Sequence, residues 1–313
     1  MPAEANCKVA IGPTGATWFA AEAVAAGGGV VVPVEEAEAL VWMDFADAGG
    51  LAAVLAQGPG IRWVQLPWAG VEAFHGLDLF GDGRQWTCGK GIYAEEVAEL
   101  AHGMIVACLR GLPELARRTT WDRDYGQTAV PLHGRRVVIL GGGGIAEALI
   151  RLLAPWRCPI TVVRRHVGDA VPGADRVVGT ERLAEVLPEA DVLVLALALT
   201  PETRGIISAD QLALVPEDAV LVNVARGGHV DSMALVEALA AGRLRGAGLD
   251  VTDPEPLPDG HPLWAEPRCI LTPHTANTIA MAKPVLFARI QENVRRFAAG
   301  EPLIGPIDSA AGY

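Results

Sequence analysis

The chain has 313 residues, 51% of them hydrophobic, and a formal net charge of −12 at pH 7. That length suits two domains with sizeable cores, and the acidic balance argues against a nucleic-acid binder, which would show a basic face. The five cysteines form no CxxC pair, which points to a reducing compartment such as the cytoplasm. The N-terminus lacks a secretory layout, and the apolar runs are short or broken, so no membrane span is expected.

In chain order, "CKVAIG" predicts a strand, followed by a helix at 16–26. "ALVWMD" predicts a second strand, a helix follows at 49–57, and "IRWVQLP" predicts a third strand. A long helix is expected over 94–117, separating two αβ regions. The second βα series starts at "RRVVILGGGG" (135–144) and continues through "ITVV", "VLVLAL", "AVLVNV", "GAGLDV" and "CILTP". Six strands with intervening helices make one doubly wound parallel unit. A last helix, 284–299, follows its closure and could return to the first domain. "PEPLPDGHP" (254–262) reads as a structured loop rather than a linker.

Within the second series, "VVILGGGGIAEALIRLLA" has the order strand, glycine turn, helix. Gly141, Gly143 and Ala146 match G-x-G-x-x-G/A. The first glycine permits the tight turn, the second lets the backbone approach a pyrophosphate, and the small third residue lets helix and strand pack. Free amides at the helix start then face the anion. The alternative, a merely flexible turn, fits poorly with a strand before, a helix after and a second strand at the proper spacing.

At the end of that second strand, about twenty residues after Gly141, stand Arg164 and Arg165. An acid is usual here, where it holds the ribose hydroxyls of NAD. Arginine reverses the charge and adds donors that suit a 2′-phosphate. The pair points to NADP(H) as preferred, with NAD(H) still possible. The other reading is two solvated arginines at a strand end.

Six ordered motifs together resemble the D-isomer-specific 2-hydroxyacid dehydrogenases: "LPWAGVE" (66–72), "GGGGIA" (141–146), "LTPETRGII" (199–207), "VNVARGGHVD" (222–231), "GLDVTDPEPLP" (248–258) and "LTPHTANT" (271–278). "HPLWAEPRCILTPH" and the ending "GEPLIGPIDSAAGY" look most like the glyoxylate/hydroxypyruvate reductase branch. The resemblance implies an α/β protein of two doubly wound parallel-sheet domains. A Rossmann cofactor domain (98–282) is inserted into a discontinuous flavodoxin-like substrate domain (1–97 and 283–313). It also implies a cytoplasmic homodimer acting on a small 2-keto acid, with no nucleic-acid or membrane partner and no metal.

The family's catalytic residues carry over onto Arg226, Glu255 and His274. Reducing a keto acid leaves an alkoxide, which a histidine of near-neutral pKa can protonate. A glutamate beside it would orient the ring and favour its protonated form. Arginine's fork can grip the substrate carboxylate and polarise the carbonyl. Each lies just past a predicted strand, where open α/β sheets bind ligands. Cofactor contacts are implied for Gly141, Gly143, Gly144, Ile145, Arg164, Arg165, Ala198, Thr203, Ala225 and Asp250, the last toward the nicotinamide carboxamide. Substrate contacts are implied for the amides of Ala69, Gly70 and Val71, which could form an anion nest.

Plainer readings stand beside these. His274 could be a loop histidine, Arg226 a turn residue, Glu255 a solvated acid, and 68–72 an ordinary strand-to-helix turn. Asp250, Asp253, Glu255 and Asp259 could suggest a metal, although the family uses this turn without one. Tyr93 could line the cleft or be a helix-start aromatic, and Trp264 could be a site wall or core. Gly144 stands where the family often has a longer polar residue, and Ala198 replaces a common proline. A 3-phosphoglycerate-type dehydrogenase and a non-enzymatic nucleotide-sensing corepressor are the competing functions, because fold alone does not fix function. A formate dehydrogenase is disfavoured, since its relatives carry Gln at the position of Glu255.

Overall fold

The computed structural model describes residues 7–15, 19–77, 79–121 and 129–308. The chain divides into two compact units, 1–93 with 278–313 and 94–277. Both boundaries fall a few residues before the expected ones, because each coincides with the start of a helix that stays whole.

The first unit contains β1 (Lys8–Gly12), α1 (Ala20–Ala26), β2 (Val30–Val31), β3 (Ala39–Trp42), α2 (Ala48–Gln57), β4 (Trp63–Gln65) and β5 (Gln85–Thr87). The start of the helix expected at 16–26 lies outside the described residues. The strands form one parallel sheet in the order β2-β1-β3-β4-β5, the flavodoxin-like arrangement. Successive strand residues point to opposite faces, so both faces need cover. Leu40 and Val64 pack with Leu51 and Phe74 on one side. Val9, Val41 and Trp63 pack on the other with Leu286, Ile290 and Val294 of the C-terminal helix.

The second unit begins with α3 (Ala94–Leu109) and α4 (Leu112–Leu115), then β6 (Val137–Leu140), α5 (Gly144–Leu153), β7 (Ile160–Arg164), β8 (Arg176–Gly179), α6 (Leu183–Val186) and β9 (Val192–Leu195). It continues with α7 (Ala209–Leu214), β10 (Ala219–Asn223), α8 (Ser232–Ala240), β11 (Leu244–Leu249), α9 (Pro262–Ala265) and β12 (Cys269–Leu271), and α10 (Ile279–Ala299) returns to the first unit. The seven strands run parallel in the order β12-β11-β10-β9-β6-β7-β8. The order reverses between β6 and β9, the crevice where such sheets bind ligands. Strands buried on both faces read as continuous apolar runs, as in Val192–Leu195 and Ala219–Asn223, where every residue is buried.

The single helix expected over 94–117 is two helices. Gly111 takes a left-handed φ of 64°, and the second piece starts at Leu112 with Pro113 in its first turn, so the hydrogen-bond ladder of α3 ends at the Arg110 amide. Val97, Met104 and Ile105 of α3 are buried, and the helix packs on α5, β10 and β11, whereas Leu100, Val106 and Ala107 stay part-exposed. The last helix begins at Ile279, capped by the Thr278 hydroxyl, with Pro284 inside it rather than at its start.

All five cysteines are buried free thiols. Burial pushes Cys108 and Cys269 up to about 12 and Cys7 up to about 11, which makes them unreactive. No helix among the described residues is long and apolar enough to cross a membrane.

Candidate functional site

The cofactor turn follows β6, beside the switch point. Gly141 has φ 104°, and a Cβ there would lie 2.2 Å from the Ala196 carbonyl oxygen. Only glycine fits both the conformation and the approach. A Cβ on Gly143, by contrast, would meet open space. Gly143 precedes α5 as its N-cap and offers no side-chain cap, so the first helical amides stay available, and the dipole adds a fractional positive charge. Ala146 is fully buried, as close packing of helix and strand requires. Gly144 is exposed at the first turn and Ile145 is half-buried. These features fit a dinucleotide phosphate.

Arg164 closes β7, half-buried, and its side chain runs beside the glycine turn: a Cβ on Gly142 would touch its Cδ at 3.0 Å. Arg165 is exposed and faces Glu202. The Glu202 carboxyl is held below the usual carboxylate range chiefly by the Thr200 hydroxyl, with a smaller contribution from Arg165.

Arg226, Glu255 and His274 sit past the C-terminal ends of β10, β11 and β12, three neighbouring strands. Asn223 shapes the first turn: its Oδ1 accepts from the Ala225 amide at 3.0 Å and its Nδ2 donates to the Arg226 carbonyl at 2.9 Å. Arg226 Nη1 donates to the buried Ala225 carbonyl at 2.7 Å. A Cβ on Gly227 would fall 1.9 Å from the Thr252 carbonyl. Glycine therefore lets the Arg226 turn press against the loop that carries Glu255.

Glu255 Oε1 lies 2.7 Å from His274 Nδ1, and Oε2 accepts from the Thr252 amide at 3.4 Å. The Glu255 and His274 side chains are about half exposed. His274 itself holds φ 52°. A non-glycine residue in this region is uncommon and persists where the surroundings over-determine it.

Asp250 supplies that constraint. It is 2% exposed and accepts from Thr272 Oγ1 at 2.6 Å and from the amides of Thr275 and Ala276 at 2.8 and 3.0 Å. Its own carbonyl accepts from the His274 amide at 2.8 Å. Among the described residues, no group of three or more His, Cys, Asp and Glu could hold a metal ion.

Thr203 is engaged inside its own loop, donating to the Ala198 carbonyl at 2.9 Å and accepting from the Thr200 amide at 2.8 Å. Trp264 is half exposed, with Nε1 donating to Pro258, so it is not core. In the first unit, the amides of Ala69, Gly70 and Val71 donate no backbone hydrogen bond among the described residues. Tyr93, buried just before α3, donates its hydroxyl to Pro67 at 2.6 Å and packs on Trp68, which anchors that turn. The sequence reading missed Asn223 and His229, both fully buried polar residues of the Arg226 turn. Their only sequence signal is a polar type among apolar neighbours.

The family model for the NAD-binding domain of D-isomer-specific 2-hydroxyacid dehydrogenases matches residues 102–276. Glyoxylate/hydroxypyruvate reductase A of Klebsiella pneumoniae strain 342 is 39% identical over 178 residues, 56% of this chain and 56% of that protein. The structure of a D-isomer-specific 2-hydroxyacid dehydrogenase from Xanthobacter autotrophicus Py2, in complex with NADPH and MES, is similar with TM-score 0.83 and 28% identity. That similarity covers 99% of this chain and 100% of that one. The NADPH-dependent glyoxylate/hydroxypyruvate reductase of Sinorhizobium meliloti, in complex with NADP and sulfate, gives 0.81 and 25%, covering 98% and 100%. The chain belongs to the D-isomer-specific 2-hydroxyacid dehydrogenase family, and is thus a nicotinamide-dependent oxidoreductase.

Proposed function

We propose that this protein is an NADPH-preferring reductase of small 2-keto acids of the glyoxylate/hydroxypyruvate type, forming D-2-hydroxy acids. The observation that carries the reading is the His274–Glu255 contact at 2.7 Å, on a loop held by Asp250. A carboxylate on Nδ1 fixes the ring and leaves Nε2 to deliver a proton.

The glycine turn and the start of α5 would hold the pyrophosphate, and Arg164 and Arg165 a 2′-phosphate. Bound there, a reduced nicotinamide would supply the hydride for the keto carbon. His274 Nε2 would give a proton to the former carbonyl oxygen, and Glu255 holds the ring in place through Nδ1. Arg226 grips the carboxylate and polarises the carbonyl. Within the first unit, the turn of Ala69, Gly70 and Val71 has amides suited to an anion such as a carboxylate.

The test is steady-state oxidation of NADPH with glyoxylate, hydroxypyruvate and larger 2-keto acids. Turnover that is best with the smallest acids supports the reading. Tight NADPH binding without turnover of any keto acid would favour a nucleotide-sensing role instead.

A further inference from the structure

One fully buried titratable group has no part in the chemistry just described. His229, in the turn after Arg226, is 0% exposed. Its Nδ1 lies 2.9 Å from the carbonyl oxygen of Arg226, and its Nε2 lies 3.3 Å from the carbonyl oxygen of Ala198. Both ring nitrogens thus face acceptors, and the acceptors belong to different loops, one after β10 and one after β9.

Each of those carbonyls takes another donor. The Arg226 carbonyl accepts from Asn223 Nδ2 at 2.9 Å, and the Ala198 carbonyl from Thr203 Oγ1 at 2.9 Å. The backbone repeats the connection, because the Ile207 amide donates to the His229 carbonyl at 2.9 Å and the Gly205 amide to the Gly228 carbonyl at 2.8 Å. His229 is therefore the side chain at which the Arg226 turn and the 198–207 loop are joined.

We infer that His229 is a positioning residue that, as an imidazolium with both ring nitrogens carrying a proton, donates to two loops, to the Arg226 turn through Nδ1 and to the cofactor-side loop at Ala198 through Nε2. The inference rests on the proposed roles of Arg226 and the 198–203 loop. A fully buried polar side chain must be paired to be tolerated. An aliphatic residue of similar size would fill the space without holding either carbonyl.

The two arms can be separated by amide side chains. Asparagine places its Nδ2 near the position of His Nδ1, and glutamine places its Nε2 near that of His Nε2. In His229→Asn the Arg226 arm survives, so the KM for the keto acid should stay within about twofold while the Kd for NADPH rises about threefold to tenfold, the usual value of one hydrogen bond. His229→Gln should do the reverse. His229→Leu should raise both. NADPH binding is read by fluorescence titration without keto acid, so it is independent of turnover, and thermal melts check folding.

This crossed pattern supports the inference. Asn and Gln variants that move both constants alike overturn it, as do three variants that match the wild type. Loss of folding in all three also overturns it and leaves His229 a packing role. Arg226→Lys, assayed in parallel, separates the two readings: wild-type kinetics there would remove Arg226 from the reaction whatever the His229 variants do.

Discussion

His274 holds a left-handed backbone, and its Nδ1 lies 2.7 Å from Glu255 Oε1. The two residues come from loops after different strands, so the pair exists only because β11 and β12 are neighbours. Replacing His274 with Ala should lower kcat by ~10²–10⁴-fold, the range for a positioned general acid. The Kd for NADPH should stay unchanged, because the cofactor turn lies elsewhere on the sheet. Stopped-flow single turnovers check the chemical step directly, and a kcat within a few-fold of wild type would rule out the role.

Arg226→Lys keeps the charge but loses the planar fork. Both kcat and the KM for the keto acid should worsen, because one group grips the carboxylate and polarises the carbonyl. Initial-rate kinetics over a range of keto-acid concentrations separate the two effects. A change in neither would return Arg226 to a turn residue whose guanidinium bonds the Ala225 carbonyl.

Arg164→Asp tests cofactor choice. The Arg164 side chain lies beside Gly142, close to the phosphate turn. A charged contact of about 1.5–3 kcal/mol corresponds to roughly tenfold or more in affinity. The variant should raise the KM for NADPH by at least that much and change the KM for NADH little or lower it. Added salt should weaken NADPH binding more than NADH binding, because the extra phosphate contacts are screened. Equal kcat/KM for the two cofactors in the wild type would leave both arginines as surface residues.

Asp191 should make the second unit acid-sensitive. Burial pushes its carboxyl up, but hydrogen bonds from the Arg136 guanidinium and amide overcome that and hold it below the usual range. A carboxyl whose folded pKa is depressed stabilises the fold above its unfolded value, near 4. That stability is lost as pH falls through the folded value. Asp191→Asn should therefore cost about 1–2 kcal/mol at pH 7 and much less near pH 3. Urea midpoints at the two pH values test this, and an equal loss at both would mean the charge does not matter.

A homodimer remains our expectation for the assembly. On α3, Leu100, Val106 and Ala107 stay part-exposed. Leu112, 49% exposed, and Trp121, 92% exposed, follow that helix and add to the candidates for a covered surface. Light scattering should give twice the 32.8 kDa chain mass at micromolar concentration, and a monomer there would refute it.

Local physics made much of this protein legible. Runs such as "VVIL" and "AVLVN" are strands because β-branched and apolar residues suit positions buried on both faces. The glycine turn is legible because position 141 needs a left-handed φ with a carbonyl 2.2 Å from any Cβ, which excludes every other residue type. The three strands the reading missed, Val30–Val31, Gln85–Thr87 and Arg176–Gly179, are all at sheet edges. Each is short, two to four residues, and becomes a strand only by pairing with a neighbour. The same holds for the site. Arg226, Glu255 and His274 were legible as types in motifs, but not the 2.7 Å contact between the last two. Asp250 read as a cofactor ligand, yet its buried carboxylate holds the loop that carries His274. The role of His229 was not legible, because its partners, Arg226 and Ala198, lie on turns after two different strands. Hydrogen bonds between loops depend on which strands lie side by side, and that was decided by burial of the whole sheet rather than by any segment.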